Sequence, residues 1–185
     1  MPAPSTVPST LPEILEALAA GGREIEAYFL ALPNSPFFDG DATHWGPAHH
    51  LSHLTIGHKR VARGLGSPAL LPANPRGRSR NFEEIRDLYR TGLPLVPKEK
   101  LLDNPLPPKL EPGATQADVV AGFVTASAKL REVAATWNEA ESDARSLPHP
   151  FLGLLSVREM LFFFVVHDRH HLDGVRARFD APGAR

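Results

Sequence analysis

Residues 156–179, SVREMLFFFVVHDRHHLDGVRARF, decide the fold. Ser156 and Glu159 form a Ser-x-x-Glu capping box at the start of the run, and no proline interrupts residues 157–179. Met160, Phe164, His167, His171, Val175 and Phe179 lie on one continuous face of an α-helix, three or four residues apart at each step. That face is apolar except for two histidines one turn apart, so forming the helix turns both imidazoles towards the core. Burying two imidazoles costs free energy unless their nitrogens are paired, and one shared metal ion satisfies both. His170 lies about a third of a turn from this row and is the weaker ligand candidate. Asp168 falls near the stripe, where it either orients an imidazole and moves a proton or is a solvated helix carboxylate.

Outward from this helix, the chain shows three more long amphipathic segments. Residues 11–31 carry Leu11, Ile14, Leu15, Leu18, Ile25, Tyr28 and Phe29 at mostly helical spacing, with Gly21 and Gly22 weakening the middle. Residues 47–65 open on Pro47, carry Leu51, Leu54, Val61 and Leu65 on one stripe, and stop at Gly66. Residues 113–142 read as one long helix, with Thr115 and Asp118 as its capping box and Val119, Phe123, Leu130, Val133 and Trp137 inward. Between the second and third of these, residues 67–113 are proline-dense and leave room only for a short helix around residues 81–90. A connection of that length either lines a site or is partly without regular structure. With no convincing strand pair, the expected fold is all-α: a four-helix bundle with a long proline-rich connection between the second and third core helices. The 185 residues read as a single domain, 1–185, with no internal repeat.

Composition removes several classes of function. The chain has no cysteine, so disulfides, thiolate metal clusters and a cysteine nucleophile of its own are out, and a metal must sit on nitrogen and oxygen. Twenty basic and 21 acidic residues give a net charge of −1, which speaks against nucleic acid, and Arg76, Arg78 and Arg80 read as a solvated loop. The start of the chain resembles no signal peptide, and its longest apolar run, residues 160–166, is too short to span a bilayer; a cytoplasmic protein without a membrane partner is expected. No Glu-x-x-His, His-Glu-x-x-His, Walker loop or Gly-x-Ser-x-Gly occurs, which removes carboxylate-bridged di-iron, zincin, nucleotide-hydrolase and serine-hydrolase chemistry.

Nine histidines are present, and His44, His49, His50, His53 and His58 fall within 15 residues; the other four are His149, His167, His170 and His171. Two enriched segments far apart in sequence suit a site assembled by folding. On the second helix, the leucine and valine stripe puts His50 and His58 nearest its centre, His53 at its edge and His49 further round. Periodicity alone therefore favours His50 or His58 as the additional anchor.

Two motifs resemble the DinB-like (DinB/YfiT) family of four-helix proteins. "WGPAHHLSHL" supplies a tryptophan, Trp45, with the pair His53-Leu54 eight residues on, and "HDRHH" comes after an apolar run on the last helix. The likeness covers about residues 45–61 and 148–175, is weaker over the first and third helices, and is absent across the proline-rich connection. It implies a three-histidine site on His53, His167 and His171. At position 50 the family usually has an aliphatic residue, so His50 reads as a packed core histidine, or else as a partner of a ligand. Trp45 reads as a packing residue where the second helix begins.

Three neutral imidazoles leave a divalent ion positive with at least one open position. Zinc or nickel are the leading choices, with iron or manganese next. The resemblance implies a transferase using a low-molecular-weight thiol of the bacillithiol or mycothiol kind, or a metal-dependent hydrolase, acting on small electrophiles. A thiol would have to arrive as a cosubstrate. Arg60 and the 76–80 arginines are candidates to receive its carboxylates, against surface solvation. The alternative is a non-catalytic metal-binding or stress-response protein, with His149 or a carboxylate filling the fourth position. A plain helical interaction module without metal ranks last, and a homodimer is expected from the resemblance.

Overall fold

The computed structural model describes residues 7–40, 45–96 and 110–180. His44 and residues 97–109 of the proline-rich connection lie outside the described residues. The described chain is mostly helical, with seven helices, α1 to α7, and one small hairpin. Among the described residues no helix is long and apolar enough to cross a membrane.

Helix α1 spans Leu11–Ala31, and Thr10 caps it in a reciprocal box with Glu13. It buries Leu11, Ile14, Leu18, Ile25 and Phe29, while Leu15 and Tyr28 are only partly covered. A single turn, α2, Asn34–Phe37, brings Phe37 under Phe29. Helix α3 spans Pro47–Leu65 and ends at Gly66, in agreement with its sequence signals. A Cβ on Gly46, just before it, would fall on the carbonyl of Asp39, so only glycine fits there. On α3 itself, a Cβ on Gly57 would sit 3.3 Å from the ring of Phe164, so the missing side chain lets α3 and the last helix approach closely.

Residues 67–96 of the connection carry more regular structure than their prolines suggest. Helix α4, Phe82–Gly92, starts from an Asn81–Glu84 capping box, close to the short helix expected at 81–90. Ahead of it, the chain is tied to residues 144–146 by Asn74 N–H to Ala144 O and Ser146 N–H to Pro72 O, at 2.7 and 2.9 Å.

The expected long third helix is two helices. Helix α5, Gln116–Ala134, keeps its Thr115–Asp118 box, but α6, Glu139–Ala144, starts afresh from Asn138. The break has two causes in the sequence. Asn138 and Glu141 make a second capping box, and Trp137 turns inward, donating its indole N–H to the carbonyl of Leu65 at 3.2 Å. A hairpin comes next, β1 Ser146–His149 with β2 Gly153–Ser156, antiparallel, although no strand pair was expected. Its four-residue strands are too short for an alternation signal, Pro148 lies inside one of them, and Gly153 holds the turn at φ 73°.

Helix α7, Val157–Phe179, begins at the Ser156–Glu159 box and is the most buried element. Its first half, including Met160, Leu161, Phe162 and Phe164, packs with Leu11, Ile14, Ile85, Tyr89, Leu130 and Leu155. Its second half, through Leu172 and Val175, packs with Phe29, Phe37, Leu51, Leu54 and Phe123. The stretch between these two apolar clusters carries His167, Asp168 and His171, all buried.

The arginine loop is not simply solvated. Arg76 and Arg80 fold onto Glu159, which has no exposed side-chain surface. Arg80 donates from Nε and Nη2 at 2.9 and 3.1 Å and from its backbone N–H at 2.7 Å. Burial alone raises the pKa of Glu159, but these hydrogen bonds and the N–H of Ser156 hold it below the usual value. Arg78 remains exposed. The glutamate of the Ser156–Glu159 capping box is thus also the anchor of the 76–80 segment.

Candidate metal centre

Helix α7 supplies His167 and His171 and helix α3 supplies His53, and their ligand atoms lie within 4.8 Å of one another. The Nε2 atoms of His53 and His167 are 3.1 Å apart, as are those of His167 and His171. An ion with metal–nitrogen bonds of about 2.0–2.1 Å holds its ligands about 2.9 Å apart at right angles and about 3.4 Å apart in a tetrahedron. The two 3.1 Å spacings, both to His167, fall between these limits. Protons cannot replace the ion well here, because the His167 Nε2 faces two other ring nitrogens with only one lone pair or one proton to offer. The group could therefore hold a metal ion.

The electrostatics favour the neutral, metal-binding form. Burial, then repulsion from Arg60 and His170, lowers the His53 pKa to about 4. Burial and the neighbouring imidazoles hold His167 and His171 well below the ordinary histidine value. All three lone pairs are thus available at neutral pH without first losing a proton. Among the described residues no fourth histidine, aspartate or glutamate joins the group.

The remaining histidines on α3 have different partners. His50 faces the site from the side: its Nδ1 is 2.8 Å from the Nδ1 of His171, so it is not an isolated core residue. His58, at the centre of the apolar stripe, is fully buried and bonds Asp168 at 3.0 Å, Nε2 to Oδ1. Its ring lies against Phe164 and Phe123. The carboxylate of Asp168 is thereby engaged by His58 in the core and is not one of the grouped ligand atoms. His49 takes the N–H of Gly46 on its Nδ1 at 3.2 Å, closing the first turn of α3.

His149 sits apart as well. Its Nδ1 accepts the N–H groups of Phe151 and Leu152, at 3.4 and 3.2 Å, which holds the hairpin turn. His170 is exposed beside Tyr89, with ring centroids 5.6 Å apart.

Aromatic residues border the imidazoles, with Phe163 stacked on His167 at 4.8 Å and 26°. The Trp45 ring stacks on His171 at 6.1 Å and 14°, and lies 5.1 Å from His53 and 5.4 Å from His50. Tyr89 of α4 meets His167 edge-on at 6.1 Å and is 3% exposed. Its place here was not legible, since Ile85 and Tyr89 look like an ordinary buried face of a short helix. The proline-rich connection therefore contributes to the wall of the site through α4. Against known protein families, curated proteins and solved structures, the chain finds no match.

Proposed function

We propose that the protein is a DinB-like four-helix bundle, built on α1, α3, α5 and α7, that binds one divalent ion, zinc or nickel first, on His53, His167 and His171. We propose further that it is an enzyme, transferring a low-molecular-weight thiol, or adding water, to a small electrophile. The observation that carries the reading is the meeting of three neutral ring nitrogens, two of the pairs 3.1 Å apart, with no fourth protein ligand among the described residues.

A bound ion supplies positive charge that lowers the pKa of a thiol or water. The chain's own residues do the rest. His53, His167 and His171 keep the site neutral before binding, so the charge of the ion is not offset by a carboxylate. Trp45 and Tyr89 cover two sides of the imidazoles with apolar surface and restrict water there.

The test is conjugate formation between a low-molecular-weight thiol and a chloro-aromatic electrophile, with zinc- or nickel-loaded protein and with the same protein after chelation. Metal-dependent conjugation, or metal-dependent hydrolysis of an ester or amide in its place, is the expected result. A loaded protein that does neither leaves the non-catalytic metal-binding reading.

A further inference from the structure

An imidazole that binds a metal through Nε2 must carry its proton on Nδ1, and that N–H needs an acceptor to fix the plane of the ring. The two ligand candidates on α7 differ in this respect. His167 Nδ1 is buried without a partner among the described residues, whereas His171 Nδ1 has His50 Nδ1 at 2.8 Å. We propose that His50 is a positioning residue of the metal site: its Nδ1 accepts the proton of His171 and so sets the tautomer and the orientation of that ligand. This rests on the metal reading above.

Three observations support the assignment. His50 meets His171 on the nitrogen opposite the one that joins the three-histidine group, so it is placed as an acceptor and not as a fourth ligand. It lies on α3 three residues before His53, so one rigid helix delivers both a ligand and the acceptor for another. The Trp45 ring touches both members of the pair, edge-on to His50 at 5.4 Å and stacked on His171, which limits rotation of either ring.

The chemistry of the acceptor bears on the charge of the ion. A carboxylate in this place pulls strongly on the imidazole proton and makes the ligand more electron-donating. A neutral imidazole pulls less and leaves more positive charge on the ion, which suits activation of a bound thiol or water. The buried carboxylate nearby, Asp168, is engaged by His58. For His50 to accept on Nδ1, its own proton must sit on Nε2.

The test compares two near-isosteric variants of the full chain, His50→Leu and His50→Asn. Leucine removes the acceptor, and asparagine returns an oxygen near the place of Nδ1. Zinc affinity is read by competition with a chromophoric chelator, and folding of each variant by circular dichroism. His50→Leu is expected to bind zinc about 10- to 100-fold more weakly than the native protein, with His50→Asn recovering most of that loss. Long-range proton–nitrogen NMR of the zinc-loaded native protein should place the His171 proton on Nδ1 and the His50 proton on Nε2. Native affinity in His50→Leu, or equal losses in both variants, overturns the assignment, the second outcome showing a packing role only. The opposite tautomer of His50 overturns it as well. If the native protein binds no zinc at all, the metal reading itself fails and this inference falls with it, a result distinct from the others.

Discussion

Lowering the pH from 7 to 5 should destabilise the metal-free protein severely, through its buried histidines. Burial lowers the pKa values of His50, His53 and His149 to about 4. In the unfolded chain each returns to about 6.5, so as pH falls the unfolded state takes up the proton first. The stabilising difference is fully present above about pH 6.5, is lost as pH falls towards 4, and changes no further below that. One group shifted in this way costs about 2 kcal/mol between pH 7 and pH 5, and three cost on the order of 5 kcal/mol. His167 and His171, held well below the ordinary value, and His49 and His170, lowered less, act in the same direction. Glu159 is also lowered, but its loss begins below pH 4.5, outside this window. Against a typical total of about 5–15 kcal/mol, the predicted loss brings the protein near its unfolding limit at pH 5. The assay is urea denaturation monitored by circular dichroism at both pH values with a chelator present. Equal stability at pH 7 and pH 5 would refute the reasoning, because it would mean that these imidazoles are solvated or already paired with acids.

Other predictions address the supports of the site. Asp168→Ala leaves His58 buried without its partner and should cost about 3–5 kcal/mol, measured by denaturation, with Asp168→Asn costing less. Glu159→Ala frees Arg76 and Arg80, and limited trypsin digestion should then cut at residues 76–80 well before the native protein is cut. Gln116→Leu removes the amide that donates to the carbonyls of Phe29 and Leu32 at 2.6 and 3.0 Å, and should destabilise the protein by about 1–3 kcal/mol in the same denaturation assay.

Helix positions were readable because caps and stops are local. Thr115, Ser156, Pro47 and Gly66 mark boundaries that the structure reproduces. The break after Ala134 is marked locally only by the Asn138–Glu141 capping box, which in a polar stretch also fits the outward turns of a continuous helix; the bond from Trp137 to Leu65, which fixes the break, is long-range. The partners of Glu159 were hidden for the same reason: a capping glutamate gives no local sign that two arginines some 80 residues earlier will cover it.

The site itself was half legible. The four-residue spacing of His167 and His171 on an apolar stripe is enough to turn both rings inward. On α3 periodicity pointed to His50 and His58, while the resemblance implied His53. The structure explains the conflict. Periodicity ranks depth of burial and is right that His58 is the deepest, where it faces Phe123 and Phe164, but it misplaces the first turn, in which His49 is buried and His50 only half-buried. An imidazole that must meet α7 beside solvent sits at the edge of the stripe, where His53 is. Spacing turned His50 inward, but its pairing with His171 Nδ1 and the presence of Tyr89 depend on the packing of one helix on another and cannot be read from it.

The most direct test is the metal content of the purified untagged protein, by mass spectrometry, beside the His167→Ala/His171→Ala double variant. The account predicts about one equivalent of zinc, nickel or a similar divalent ion in the native protein and none in the variant. A native protein that stays metal-free after zinc and nickel are offered would contradict it.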